Sequence, residues 1–144
     1  MDMLADLARD GGAALAYSAV GIVLMALGFM LVDVITPGNL RHQIWIDRKP
    51  NAALLTASNM LGVGIIVATA IWTSEGSIGR APAASAVYAI IGLIAMGVAF
   101  VLLDLLTPGE LGEMLVDPNG RNPAVWVSAA VHIAVALVVS AGLS

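Results

Sequence analysis

The sequence predicts an all-α integral membrane protein, with four transmembrane helices arranged as two parallel-oriented helical-hairpin repeats. Three observations predict it. Apolar residues make up 60% of the 144-residue chain and charged ones only 11%, with a mean hydropathy of +0.96. A soluble domain carries about 25% charged residues, and one this small cannot hide so many apolar side chains from water. Four runs lack any formal charge: 11–32, 50–74, 81–103 and 122–144. Finally, the chain matches itself when slid by 71 residues.

Each uncharged run exceeds the roughly 20 residues that cross a hydrocarbon core at 1.5 Å per residue. A backbone in lipid must satisfy its own hydrogen bonds, so the runs are expected as helices. Before the first run, residues 1–12 read as a short amphipathic lead-in, with Met3, Leu4 and Leu7 on one side. Its acidic start, Met1-Asp2-Met3-Leu4-Ala5-Asp6, is unlike the basic opening of a cleaved signal peptide. Two two-span units follow, 13–80 and 81–144. Arg41, Arg48 and Lys49 lie between spans one and two, and Arg121 between spans three and four, against only Arg9 and Arg80 on the other side. Positive residues stay cytoplasmic, so both termini are expected outside the cytoplasmic membrane. Tyr17, Trp72 and Tyr88 would mark one interface, Trp45 and Trp126 the other.

Six basic residues against ten acidic ones give a formal charge of −4, which excludes a nucleic-acid footprint. There is no cysteine, so disulfides, thiolate nucleophiles and sulfur-ligated metals are excluded. No Ser-His-Asp order, phosphate loop or metal-ligand spacing is present, and neither catalysis nor a cofactor is expected.

The self-match is specific. Tyr17, Gly21, Met25, Phe29, Leu31, Asp33, Thr36, Pro37, Gly38 and Leu40 recur as Tyr88, Gly92, Met96, Phe100, Leu102, Asp104, Thr107, Pro108, Gly109 and Leu111. It continues weakly, pairing Asn51 with Asn122 and Ala53 with Ala124. Both units hold two spans and insert the same way, so an axis along the membrane normal is expected to relate them. Two tandem helix pairs, each with G-x(7)-F-x(3)-D-x-x-T-P-G-x-L at the end of its first helix, resemble the domain-of-unknown-function family 350. That resemblance covers the chain from about Tyr17 to the last span. It implies the four-helix fold of small bacterial inner-membrane proteins and no reaction.

Pro37 and Pro108 must stop their helices, and Pro-Gly suits the two central positions of a type II turn, with Gly38 and Gly109 at positive φ. Thr36-Pro37-Gly38 and Thr107-Pro108-Gly109 therefore read as helix stops leading into interfacial anchors. Asp33 and Asp104 are candidate functional residues. A carboxylate in a last turn opposes the helix dipole by about 0.3–1 kcal/mol and meets a desolvation cost near lipid. Partners open to each are its counterpart across the pseudo-twofold, a loop arginine (Arg41 or Arg48), or neighbouring helix amides. His132 falls near mid-span and Asn59 is embedded in span two. Both are either interhelical glue or proton- or ligand-handling groups.

Two functions follow from different classes. In one, Asp33 and Asp104 at the repeat interface, with His132, line a conduit for protons, cations or a cationic solute. In the other, the protein is a non-catalytic membrane scaffold or accessory subunit. The lipid bilayer is the expected environment. Small residues on helix faces predict self-association or a membrane-protein partner.

Overall fold

A computed structural model of the chain describes residues 2–36, 38–74, 81–106 and 122–144. Helices α1 (Asp2–Ile35), α2 (Pro50–Thr73), α3 (Ala81–Leu106) and α4 (Pro123–Leu143) are each long and apolar enough to cross a membrane. A π-helical turn, His42–Ile46, lies between α1 and α2. No strand occurs among the described residues.

Local sequence sets the helix ends. Pro50 and Pro123 occupy first helical positions, where the missing N–H costs nothing and φ is already helical. The Asn122 side chain accepts from the Ala124 N–H at 3.0 Å, capping α4 as Asn at an N-cap does. After α1, Gly38 takes φ +96, the sign expected for the second central residue of a type II turn. Pro37, Thr107, Pro108 and Gly109 lie outside the described residues. α1 runs unbroken from Asp2 through Gly11 and Gly12 to Ile35, so the lead-in forms its opening turns. At 34 residues it is about 51 Å long, well beyond a hydrocarbon core of about 30 Å.

Glycines set the packing distances. A Cβ at Gly28 would collide with Val63, and one at Gly21 would sit 3.6 Å from Ile71, so α1 runs antiparallel to α2. A Cβ at Gly62 would lie 3.0 Å from that of Ala136, and the Asn122 N–H donates to Asn51 Oδ1 at 3.4 Å. α2 and α4 are therefore parallel neighbours, joined at one end by two residues that the self-match pairs. α2 is central: half of its apolar stretch is buried, against 17% for α1. Leu24, Val63, Ile66, Ala70, Leu93, Met96 and Ala136 form the main core. Val32, Leu40, Leu55 and Val125 form a second cluster at the π-turn end. At the opposite end the buried Ser74 and Ser85 hydroxyls hydrogen-bond, tying the close of α2 to the start of α3.

Positions that match in sequence do not have matching surroundings. Gly97 packs on Leu31 and Ile35 of α1, whereas the aligned Ala26 and Leu102 both face outward. Gly92 is buried against Ile66, Val139 and Leu143, whereas the aligned Gly21 is only half-covered by Val67 and Ile71. α3 packs on α2, but the counterpart contact between α1 and α4 is at most marginal.

Candidate functional site

In lipid an unpaired polar atom has no water to turn to, so each one marks a place where the fold departs from simple packing. Asp104 stands in the last described turn of α3, half-buried. Antiparallel α4 brings Ser128 and His132 alongside, and a cavity of about 220 Å³ is lined by Leu103, Asp104, Ala124, Val127, Ser128, Val131 and His132. His132 is 4% exposed, and its Nδ1 is buried without a hydrogen-bond partner. Its ring stacks on Phe100, with centroids 4.4 Å apart and planes 12° from parallel. Phe100 lies one helical turn before Asp104, so α3 supplies both the surface that holds the imidazole and the carboxylate that shares its cavity.

Asn59 is fully buried on α2, and neither its Oδ1 nor its Nδ2 has a partner. It does not line the Asp104–His132 cavity, and neither does Asp33. Asp33 lies two residues before the end of α1, half-buried, with Oδ1 sealed and unpartnered. Arg41 forms no ion pair with it; its guanidinium sits 5.6 Å from the Phe29 ring centroid. Thr36 is buried, its N–H donating to the Val32 carbonyl at 3.0 Å while its Oγ1 is left without a partner.

The structure thus brings together two of the residues singled out in the sequence, Asp104 and His132, and adds Ser128 and Phe100. Ser128 carried no signal beyond its position four residues before His132, one turn away on the same face. Phe100 was visible only as a marker of the self-match, since no spacing rule joins it to His132. Thr56, Gln43 and Ser140 also hold buried, unpartnered oxygens, and nothing in their sequence context distinguished them. Among the described residues, no three His, Asp or Glu side chains gather as metal ligands.

The family model for the Domain of Unknown Function DUF350 matches residues 2–143. The chain belongs to the DUF350 family. It is also 35% identical over 132 residues to a UPF0719 transmembrane protein of Mycolicibacterium paratuberculosis, covering 92% of this chain and 87% of the relative. It is 37% identical over 128 residues to UPF0719 transmembrane protein Mb2631 of Mycobacterium bovis, covering 89% of this chain and 84% of the relative. A Mycobacterium tuberculosis protein, UPF0719 transmembrane protein MT2674.1, matches to the same extent. No solved structure matches the chain. DUF350 membership and the four apolar helices make the chain a transmembrane protein.

Proposed function

We propose that this DUF350 protein is a non-catalytic proton conduit of the bacterial cytoplasmic membrane, with both termini outside. The observation that carries this reading is the cavity in which Asp104, Ser128 and His132 meet. Carboxylate, hydroxyl and imidazole are groups that accept and release protons, and intramembrane ionisable residues mark proton and ion paths. Asp104 would be the entry near the membrane boundary, and His132 the mid-span relay. Cations and cationic solutes fit less well, because among the described residues Asp104 is the one carboxylate lining the cavity.

The test is proton flux in vesicles reconstituted with the whole chain and loaded with a pH-sensitive dye. An imposed pH gradient should decay faster than in protein-free vesicles. Asp104→Asn should return the decay to that baseline. The sequence match makes Asp33 and Asp104 equivalent, but the cavity contains only Asp104, so Asp33→Asn should retain most of the flux. Unmodified protein no leakier than lipid alone would overturn the conduit.

A second reading, a self-associating scaffold, is favoured by one surface. Tyr17, Gly21 and Met25 of α1 and Gly64 and Ala68 of α2 border an open groove of about 680 Å³. The aligned glycine on α3, Gly92, is packed by α2 and α4 within the chain. A helix from a second copy would cover the α1 groove in the same way, since small residues allow close approach in lipid. Disulfide trapping of Ser18→Cys between copies in the membrane tests it; absence of a dimer band would count against this reading.

A further inference from the structure

The segment between α1 and α2 is built more elaborately than a plain connection requires. The Asn39 side chain accepts from the His42 N–H at 3.1 Å, fixing the entry into the π turn. His42 Nδ1 lies 3.3 Å from Asp47 Oδ2, and the Asp47 N–H closes back on the His42 carbonyl at 3.0 Å. The Lys49 N–H reaches the Gln43 carbonyl at 2.9 Å across Arg48, which adopts φ +53. A non-glycine residue in that region marks a turn held by its surroundings. The result turns Gln43 inward and leaves Trp45 and Ile46 about two-thirds exposed.

Around this turn is an open cleft of about 570 Å³ lined by Phe29, Asn39, Arg41, His42, Trp45 and Ile46. One wall is apolar and aromatic. The Arg41 guanidinium rests over Phe29 and has no carboxylate partner among the described residues, which leaves its planar fork of donors for a ligand. Residues 38–49 hold Arg41, Arg48 and Lys49 against the single acid Asp47, in a chain of net charge −4. An unpaired guanidinium beside an exposed tryptophan, at the end of a membrane-spanning helix, matches a molecule with an anionic head and an apolar tail. Phosphate in particular suits the two parallel donors of arginine. The second unit lacks these residue types: Gly112 and Glu113 stand at the positions aligned with Arg41 and His42, and Phe100 faces His132 instead.

We propose that this cleft is a binding site for the headgroup of an anionic phospholipid. Arg41 holds the phosphate, Phe29 fixes the guanidinium, and Trp45 and Ile46 lie along the glycerol and the first acyl carbons. Asp47 keeps His42 against the cleft wall. Arg48 and Lys49 add field but do not line the site.

Trp45 supplies the reporter. The whole chain carrying Trp72→Phe and Trp126→Phe, with Trp45 as its one tryptophan, is reconstituted in phosphatidylcholine vesicles. Acyl-brominated phosphatidylglycerol or acyl-brominated phosphatidylcholine is added as quencher. Brominated phosphatidylglycerol should quench Trp45 at an about fivefold lower mole fraction, the factor one basic residue facing anionic lipid provides. Arg41→Gln should equalise the two lipids, and Arg48→Gln should leave the preference in place. Equal quenching in the unmodified site would overturn the proposal. So would a preference that survives Arg41→Gln, or one that Arg48→Gln removes equally, because either assigns it to diffuse charge. Inorganic phosphate at matched ionic strength should not relieve the quenching; relief would assign the cleft to a soluble anion and overturn the lipid reading.

Discussion

Phe100 and His132 stack face to face across α3 and α4, 4.4 Å between centroids, whereas Phe29, the residue aligned with Phe100, carries the guanidinium of Arg41. One aromatic position, repeated in sequence, thus serves two environments. Phe100 is 5% exposed within the bundle and gives a buried imidazole its packing surface. Phe29 stands at the cleft beside the π turn and orients a cation there. Gly21 and Asp33 on either side of Phe29 recur as Gly92 and Asp104 around Phe100. What distinguishes the units is which helix each face meets.

The stack separates two roles for His132. His132→Phe keeps an aromatic ring against Phe100 and removes a buried nitrogen that has no partner. Leaving such a group unmade costs about 1–3 kcal/mol, and replacing it with an apolar group of similar shape is close to neutral. Thermal unfolding in detergent should therefore stay at or above that of the unmodified protein, while proton flux falls to the lipid baseline. A clear loss of stability would identify the imidazole as interhelical glue, for which about 0.6 kcal/mol is typical.

The spans were legible because exclusion of charge sets them. α2 and α4 end within two residues of the uncharged runs 50–74 and 122–144. α1 was less legible at its start, because Asp6, Arg9 and Asp10 keep a segment out of hydrocarbon without stopping it from being helical. Helix facing was not legible. Spans that are apolar on every side carry little phase information, so the sequence could not say that Asp104 would share a cavity with His132 while Asp33 would not. The two aspartates share one motif along the chain, but across space Asp104 meets Ser128 and His132 of α4, where the aligned residues of α2 are Ala57 and Leu61; α3 also packs on α2 without a matching contact of α1 on α4.

That asymmetry predicts unequal glycines. A Cβ at Gly92 would lie 2.5 Å from Ile66 Cγ2 and 3.0 Å from Leu143 Cδ1, whereas at Gly21 the nearest atom is Ile71 Cδ1 at 3.6 Å. Gly92→Ala should destabilise by about 1–3 kcal/mol, the cost of overpacking. Gly21→Ala should be neutral or mildly stabilising, since alanine loses less backbone freedom in a helix. Ile66→Ala combined with Gly92→Ala should recover part of the loss, a coupling that a double-mutant cycle of unfolding midpoints would reveal. Equal responses at the two glycines would contradict the packing described.

Orientation can be read with two single cysteines, since the sequence contains none. Gln43 is a poor choice because it is buried; Asp47 and Asp6 are exposed. In the proposed orientation, which rests on the basic residues around the π turn, Asp47 faces the cytoplasm and Asp6 the outside. A membrane-impermeant thiol reagent should label Asp6→Cys in intact cells, and Asp47→Cys only after the membrane is opened. The reverse pattern would invert the topology while leaving the four spans intact.

Asn59 tests how the bundle tolerates polarity at its centre. It is 0% exposed, and both ends of its side-chain amide lack hydrogen-bond partners. An unsatisfied buried amide costs about 1–3 kcal/mol. Leucine repeats the branching of asparagine without its polar atoms, so Asn59→Leu should hold or raise the unfolding midpoint, by about 2–4 °C for each kcal/mol recovered. Asn59→Asp should do the opposite, because it puts a charge where the fold offers no counter-ion. The two variants separate volume from charge: a fall in the leucine variant would report overpacking, whereas aspartate is close to asparagine in size and its fall reports the buried charge. Proton flux decides what the residue is for. Asn59 does not line the Asp104–His132 cavity, so a stable Asn59→Leu protein should conduct as well as the unmodified one. If flux disappears while the midpoint holds, the path runs through α2 as well as α3 and α4, and the cavity is only its outer part.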